Sequence, residues 1–254
     1  NKLSTVKRCL LTTAVFFCLA LNAQAQAIKG LPIGAVVVER RTLVLPNQPS
    51  RILVLWMIKP KRNPFEPKDE VYTCPDETRG SYYSGRTRLS LYDPTSRKII
   101  NTLKVTPESE DNADSFDVPY SIRKGYYYRV EKPGNKPTIM WLHDYNGDGK
   151  ALEFALFNAL ACMGLETALF GYSERQDKVI QYPITLEVIE NGRTTTQTQM
   201  WADYLMSKKP QSVGYWRYEV DYRGRGGSLD KWEVKYDRLK EAFEGRLTIT
   251  TDGF

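Results

Sequence analysis

The chain has 254 residues, with 36 Lys and Arg against 30 Asp and Glu, for a formal charge of +6. That length suits one large β domain or two small ones. Without the first 27 residues, which hold three of the basic side chains, 33 basic residues face 30 acidic ones, about +3. So small a charge argues against a nucleic-acid partner, which needs a strong positive field.

Residues 1–27 have the pattern of a bacterial-type secretory signal peptide. Lys2, Lys7 and Arg8 form a basic start, and residues 9–21 are apolar or small without a charge. Two small-x-small cleavage patterns follow, at 23–25 and 25–27. The apolar run is shorter than the ~18 residues that cross a bilayer. We therefore expect a secreted or periplasmic protein, residues 28–254, without a transmembrane helix once the signal is removed.

Two cysteines remain after the signal, Cys74 and Cys162. An even pair in an oxidising compartment favours a disulfide. The bridge would close a loop of roughly 89 residues and contribute about 4–5 kcal/mol in the chain-entropy model. Two separate buried thiols are the alternative.

The first half of residues 28–254 indicates strands. Residues 35–45 are rich in Val and Leu, and 51–58 form a nearly continuous apolar run. Residues 59–70, with three prolines among charges, predict a loop. Residues 86–92 and 98–105 predict a hairpin around the turn residues 93–96. The sequence then predicts a loop rich in Asp and Glu at 108–114, a Tyr-rich strand at 125–130 and a strand at 138–142.

The second half continues in the same way. Residues 151–163 are apolar on every side, so their periodicity does not distinguish a helix from a strand. Residues 168–172 and 179–188 predict a second hairpin, and 215–222 with 231–236 a third. Short helical segments are predicted at 200–208 and 238–243, and a last strand at 246–251. Strand signals about ten residues apart predict a mainly β fold, either an antiparallel sandwich or a propeller-like sheet array with one or two short helices. We expect a single domain over 28–254, with a subdivision near 107–114 left open.

The segment with the most specific chemistry is 144–150, Asp-Tyr-Asn-Gly-Asp-Gly-Lys. Oxygen-bearing side chains at its first, third and fifth positions, a glycine at the sixth and a carbonyl at the seventh are the ligand pattern of a calcium loop. The segment resembles the Asp-x-Asn-x-Asp-Gly loops of EF-hand, dockerin and FG-GAP (integrin-type) proteins. That resemblance implies Asp144, Asn146 and Asp148 as side-chain ligands and Lys150 as the carbonyl ligand.

The closing ligand of this loop departs from those families. An EF-hand has an acid at the twelfth position, where this chain has Ala155, and an FG-GAP loop has one at the ninth, where it has Leu152. Glu153 stands at the tenth position and is the candidate for closing the site. The alternative is a plain type I′ hairpin turn at Asn146-Gly147, capped by the aspartates.

No other segment carries a specific catalytic pattern. His143, the single histidine, is a weak candidate for a general base. The carboxylates Glu219, Asp221, Asp230 and Glu233 flank the third hairpin, where a glycan hydrolase would need two that face each other. Five aromatic residues of that hairpin predict core packing or a sugar platform: Trp216, Tyr218, Tyr222, Trp232 and Tyr236.

The loop at 223–227, Arg-Gly-Arg-Gly-Gly, is either a flexible tip or an anion site. Together these patterns predict a secreted protein with a structural calcium ion that acts in binding or structure, with a glycan or an envelope protein as partner. A secreted carboxylate-based hydrolase acting on glycans is the alternative.

Overall fold

The structure is a computed structural model that describes residues 28–63, 82–106, 120–122, 138–159, 165–202, 205 and 209–251. Several predicted features lie outside the described residues. They are the signal peptide, Cys74, Cys162, the loop at 108–114 and the strand at 125–130. The signal peptide, the disulfide and the subdivision near 107–114 therefore stay predictions.

The described residues form fourteen strands, which are numbered here in chain order. They are β1 (Ala35–Leu43), β2 (Arg51–Asn63), β3 (Tyr82–Asp93), β4 (Lys98–Val105), β5 (Tyr120–Ile122), β6 (Glu153–Ala159), β7 (Leu165–Ser173), β8 (Lys178–Gln181), β9 (Ile184–Glu190), β10 (Arg193–Gln199), β11 (Trp201–Ala202), β12 (Tyr215–Asp221), β13 (Ser228–Asp237) and β14 (Ala242–Thr251). The mainly β prediction is confirmed. Among the described residues no helix is long and apolar enough to span a bilayer.

The strands form three open sheets. Sheet I has the order β1-β2-β3-β4, with β5 also paired to β3. Sheet II has the order β11-β7-β6, with β8 also paired to β7, and sheet III has the order β10-β9-β14-β13-β12. All pairings are antiparallel except that of β14 with β9. No described sheet closes into a barrel.

Sheet II is the middle layer of the molecule. Its strand β7 sends Ala168, Phe170 and Tyr172 into one core, which is shared with β2 and β3 of sheet I. The intervening Leu169 belongs to a second core, which is shared with sheet III. Successive side chains of a strand point to opposite faces. Sheet II is therefore covered on both faces.

The double coverage explains why residues 151–163 give no periodic signal. Leu152, Phe154, Ala155 and Leu156 are all buried, so this stretch has no solvent face. A strand buried on both faces shows a continuous apolar run instead of alternation. The described part of the segment is strand β6, and residues 160–164 lie outside the described ranges.

Two of the predicted elements are wrong, and a third is wrong in part. Residues 138–142 do not form a strand, because the carboxylate of Glu39 in β1 accepts the N–H groups of Ile139 (2.7 Å) and Met140 (2.9 Å). Residues 238–241 form the turn between β13 and β14 instead of a helical turn. Trp201–Ala202 is a short strand, where a helix was expected. Leu205, within the same predicted segment, is helical, and residues 203–204 and 206–208 lie outside the described ranges.

Two predicted elements have different bounds. β2 runs through Pro60 to Asn63, although a loop was predicted from 59 onward. Lys59 has φ +43° and the register shifts between Ile58 and Lys61, so the proline lies at a bulge, where a strand tolerates it. The hairpin predicted from 168 to 188 divides at Pro183, because β8 remains in sheet II and β9 joins sheet III.

A glycine in the second core gives a direct test of this packing. A Cβ on Gly245 would lie 2.2 Å from Leu186 Cδ2 and 3.2 Å from Val234 Cγ2, both of them fully buried side chains. Gly245→Ala should lower the free energy of unfolding by about 1–3 kcal/mol, because overpacking a filled core costs that much. Urea unfolding at neutral pH measures the change.

The matched control is Gly224→Ala. A Cβ at Gly224 meets nothing within 4 Å, and its φ is not positive. This variant should stay within about 0.5 kcal/mol of the wild type. Equal effects of the two substitutions would contradict the packing of sheet III described above.

Candidate calcium loop

The segment 144–150, called here the acidic loop, leads directly into β6 of the middle sheet. An isolated bridge between His143 and Glu153 closes its base, with His143 N donating to Glu153 O (2.7 Å) and Glu153 N donating to His143 O (3.1 Å). These two bonds fix where the loop leaves and rejoins the sheet.

Side-chain oxygens inside the loop fold back onto its own backbone. Asp144 Oδ1 accepts from Gly147 N (2.7 Å), and Asp144 Oδ2 accepts from Gly149 N (2.8 Å). Asn146 Oδ1 accepts from Asp148 N (2.9 Å), and Asp148 Oδ1 accepts from Lys150 N (2.8 Å). The bonds hold all three predicted side-chain ligands within one tight turn. Each oxygen keeps acceptor capacity, since a carboxylate offers about four lone-pair sites.

The glycines give the loop its curvature. Gly147 has φ +78° and Gly149 has φ +86°, a region that favours glycine. The φ of Asn146 is not positive. A type I′ turn needs a positive φ at both central residues, so the type I′ geometry predicted as the alternative is wrong. The capping that this alternative expected is present, because Asp144 and Asp148 accept from backbone N–H groups of the turn.

Glu153 supports the loop from inside the protein and has no solvent exposure. Its Oε2 accepts from the backbone N–H of Tyr145 (2.9 Å) and, more weakly, of Asn146 (3.4 Å), and its Oε1 accepts from Asn146 Nδ2 (3.1 Å). Gly171 lies opposite on β7, where a Cβ would be 2.9 Å from Glu153 Cγ. The glycine therefore makes room for the carboxyl group.

Burial raises the pKa of Glu153 to about 8. The N–H donors of Tyr145 and Asn146 act in the opposite direction, while the negative charges of Asp148 and Asp144 add to the increase. Desolvation and the two neighbouring carboxylates thus disfavour the ionised form of the carboxyl group, and the N–H donors favour it. A cation at the loop would relieve the repulsion among these carboxylates.

The acidic loop is also in close contact with sheet III. A Cβ on Gly147 would lie 2.6 Å from Val213 O, and one on Gly214 would lie 2.7 Å from Asn146 O. Arg238 Nη2 donates to Gly147 O. Val213 and Gly214 precede β12, and Arg238 lies in the β13–β14 turn. The loop therefore joins the middle sheet to two turns of sheet III.

The turn between β7 and β8, at 174–177, connects the same region to the other sheets. Lys150 Nζ binds the carboxylate of Glu174, and the charge of Asp148 also acts on its ammonium group. Arg51 of β2 forms a two-bond pair with Asp177 (2.8 and 2.7 Å). On the other side, Glu241 accepts from Ser173 Oγ, Arg175 Nε and Gln176 Nε2.

The described residues contain no cluster of three or more His, Cys, Asp or Glu side chains that would hold a metal. Asp144, Asp148 and Glu153 of the predicted ligand set are therefore not brought together as such a cluster. The other two predicted ligands, the Asn146 amide and the Lys150 carbonyl, are oxygen types that calcium also accepts. The calcium site of Asp144, Asn146, Asp148, Lys150 and Glu153 stays a prediction.

The other candidate residues have ordinary partners. His143 is exposed, and its ring meets Tyr145 edge-on at 5.6 Å. The four carboxylates of the third hairpin each bind a neighbour: Glu219 binds Lys231, Asp221 binds Arg223, Asp230 accepts from Ser228 Oγ, and Glu233 accepts from Tyr215 OH. This arrangement gives them the role of solvated strand-face charges.

The aromatic residues of the third hairpin belong mainly to the second core. Trp216 and Trp232 are buried, Tyr218 and Tyr236 pack against the same core, and Tyr218 stacks on Trp232 with 6.5 Å between ring centroids. Tyr222 is exposed and lies beyond the end of β12. Core packing is therefore confirmed for Trp216, Trp232, Tyr218 and Tyr236. Residues 223–225 form a short 3-10 helix at an exposed tip, where Arg223 pairs with Asp221.

Three structural features of the site have no signal in the sequence. They are the support from Glu39, the joint at Gly214 and Arg238, and the ion pairs that join the β7–β8 turn to Arg51 and Glu241. Each joins residues more than 60 positions apart, and no local spacing indicates such a pair. Comparison with family models, with curated proteins and with solved structures found no match to this chain.

The support from Glu153 predicts a specific loss of stability. Glu153→Ala should lower the free energy of unfolding by about 2–4 kcal/mol, because it leaves buried N–H groups of Tyr145 and Asn146 without an acceptor and opens a cavity. Glu187→Ala is the matched control, since Glu187 is paired with Arg246 at the surface. The control should cost less than about 1 kcal/mol. Chemical denaturation of both variants measures the two losses in the free energy of unfolding. Losses of similar size would contradict the support described for Glu153.

The Arg51–Asp177 pair predicts a pH dependence. Its hydrogen bond to Arg51 keeps the pKa of Asp177 below the ordinary value. A lowered folded-state pKa contributes stability that is complete above the unfolded pKa of about 3.9 and is lost as the pH falls through the folded value. Asp177→Asn should therefore cost stability at pH 7, by about 1 kcal/mol or less because the aspartate side chain is 43% exposed.

That cost should disappear below the folded pKa of Asp177. Unfolding of the two proteins across pH 7 to pH 2 measures the difference. A cost that persists unchanged at the acid end would show that the pair is not the cause. Asparagine tolerates the positive φ of +48° at this position, so backbone strain does not complicate the comparison.

Proposed function

We propose that this is a secreted or periplasmic β-sheet protein with a binding or structural role, in which one calcium ion rigidifies the joint between the middle sheet and sheet III. The ligands would be the side chains of Asp144, Asn146 and Asp148 and the carbonyl of Lys150. Glu153 would close the site or, with the bonds it makes here, hold the loop in its binding shape.

One observation carries the proposal. Three oxygen-bearing side chains at alternate positions are held in a single glycine-bent turn by bonds to its own N–H groups. Hard oxygens in such a turn are the ligands that calcium prefers. The surrounding charge supports the same reading, because the amine of Lys150 is paired with Glu174 and the negative charges of Asp144 and Asp148 act on Glu153.

The location of the loop supports a structural role for the ion. The backbone contact at Gly147 and Gly214 leaves no space for a side chain on either residue. A cation that stiffens the loop would therefore also fix the turn before β12. In an extracellular setting a site with a Kd of about 0.1–1 mM is enough, since many extracellular modules bind calcium in that range.

The glycan hydrolase stays the alternative prediction, and no contact among the described residues favours it. Sheet III carries an open groove of about 340 Å³ on its outer face, with Glu187, Glu233 and Glu244 in its lining. Each of these carboxylates has a partner, namely Arg246, the Tyr215 hydroxyl and Lys240.

Calcium should raise the thermal midpoint of the wild-type protein. At 10 mM calcium and a Kd of about 0.1–1 mM, ligand binding adds about 1.4–2.7 kcal/mol. For a domain of this size that shift is about 3–10 °C. Differential scanning calorimetry with calcium, with magnesium and with excess EGTA measures it, and the magnesium response should be smaller.

Asp148→Ala should abolish the calcium response, and Asp93→Ala is the matched control. Asp93 caps the β3–β4 turn in the same manner, with Oδ1 accepting from Thr95 N (2.8 Å), but it lies outside the acidic loop. The control should lose some stability without calcium and keep the full calcium shift. No shift in the wild type, or an equal shift in Asp148→Ala, would contradict the proposal.

A further inference from the structure

The outer strand of sheet III has a backbone edge that no described strand covers. β10 is the terminal strand in the order β10-β9-β14-β13-β12. Its hairpin with β9 turns at Asn191 and Gly192, and both residues have a positive φ (49° and 74°). In a two-residue turn of this kind the flanking residues, here Glu190 and Arg193, form a hydrogen-bonded pair. The N–H and C=O groups of Thr194, Thr196 and Thr198 therefore point away from β9. In the part of the chain that the structure describes, no strand pairs with that side.

The composition of β10 leaves this edge without protection. The strand reads Arg-Thr-Thr-Thr-Gln-Thr-Gln, with its one charge at the first residue and no proline. Its pairing with β9 is regular, without a bulge, and residues 193–198 are all exposed. Natural edge strands normally carry inward charges, prolines, bulges or a cover, because a bare edge pairs with other strands.

Three other edge strands among the described residues do carry such devices. β1 has a bulge between Val37 and Glu39, and the Glu39 carboxylate binds the segment beside it. At β4, the Asn101 side chain bonds both backbone groups of Val179 in β8. β12 places charges at Arg217, Glu219 and Asp221. β10 differs from all three.

We propose that β10 pairs with β10 of a second copy of this chain, antiparallel and about a two-fold axis at Thr196. The outward-facing residues then meet as Thr196 with Thr196 and as Thr194 with Thr198, and each such pair exchanges two backbone hydrogen bonds. Threonine pairs across antiparallel strands are favourable. The intervening residues meet as Thr195 with Gln197 and as Arg193 with Gln199.

This register is self-complementary in charge. Arg193 faces a glutamine, so no like charges oppose each other anywhere along the pair. An isologous contact of this kind closes on itself as a dimer and does not grow into a filament. It would join two copies of sheet III into one continuous sheet. The open grooves of the two copies, each bordered by Thr196, would then lie next to the two-fold axis.

Sedimentation velocity of the intact protein tests the pairing. A contact through one strand is small, so we expect a weak dimer that forms over roughly 10 µM to 1 mM. The weight-average mass should approach twice that of one chain at the top of this range. A single-chain mass at every concentration would overturn the proposal.

Charge variants test the register. Thr196→Lys places two ammonium groups opposite each other at the axis and should abolish the dimer, and Thr196→Glu should do the same. An equimolar mixture of the two should associate again, because lysine then faces glutamate. A dimer that survives in Thr196→Lys, or a mixture that stays monomeric, would overturn the pairing about Thr196.

Thr185→Lys is the matched control. Thr185 is exposed on the outer face of the neighbouring strand β9, but it is not at the sheet edge. This variant should dimerise like the wild type. Hydrogen exchange of the unmodified protein gives an independent result. The amides of Thr194, Thr196 and Thr198 should be protected at high concentration and exchange freely when dilute. Fast exchange at both concentrations would overturn the proposal.

Discussion

The middle sheet is covered on both of its faces, and this constraint governs the rest of the structure. Side chains of β6 and β7 reach either the first core with sheet I or the second core with sheet III. A polar group in such a layer must find a hydrogen-bond partner, because burying it without one costs several kcal/mol. Glu153 is the charged residue that the described middle sheet buries completely, and its partners are the acidic loop.

The shape of the acidic loop therefore follows from the packing of the sheets. Glu153 holds Tyr145 and Asn146 from the inside, Gly171 makes space for it, and the loop then meets Gly214 at backbone distance. The β7–β8 turn adds ion pairs to sheet I through Arg51 and to sheet III through Glu241. Exposed ion pairs contribute little individually. Their effect here is to connect the three layers around one region.

Local patterns predicted the parts of this fold that local chemistry decides. The β3–β4 and β12–β13 hairpins follow from alternation and turn residues, and both are present. The wrong strand prediction at 138–142 comes from a long-range contact. Residues 138–142 have strand composition, but their N–H groups bind Glu39 instead of a neighbouring strand. β10 is not among the predicted strands, although Asn191-Gly192 is a good hairpin signal, because its strand is polar on both faces.

The candidate site likewise has one part that local sequence patterns predict and another part that they do not. The positions of Asp144, Asn146 and Asp148 within one turn follow from spacing and glycine placement alone. The supporting bonds of Glu153 do not, because they depend on how deeply the middle sheet is buried. The contacts with Val213 and Arg238 depend on sheet III, whose register includes the single parallel pair between β9 and β14. That pairing joins strands separated by four others along the chain, and no local pattern indicates it.

We propose that a cation at the acidic loop stiffens the joint between the middle sheet and sheet III. Amide hydrogen exchange with and without calcium measures that stiffening. Slower exchange is predicted at Gly147, Gly149 and Lys150 and also at Tyr215 and Tyr236, whose N–H groups lie next to Gly214. Strands β2 and β3 should be unchanged. Exchange that calcium leaves unaltered, or slows equally in every sheet, would contradict the claim.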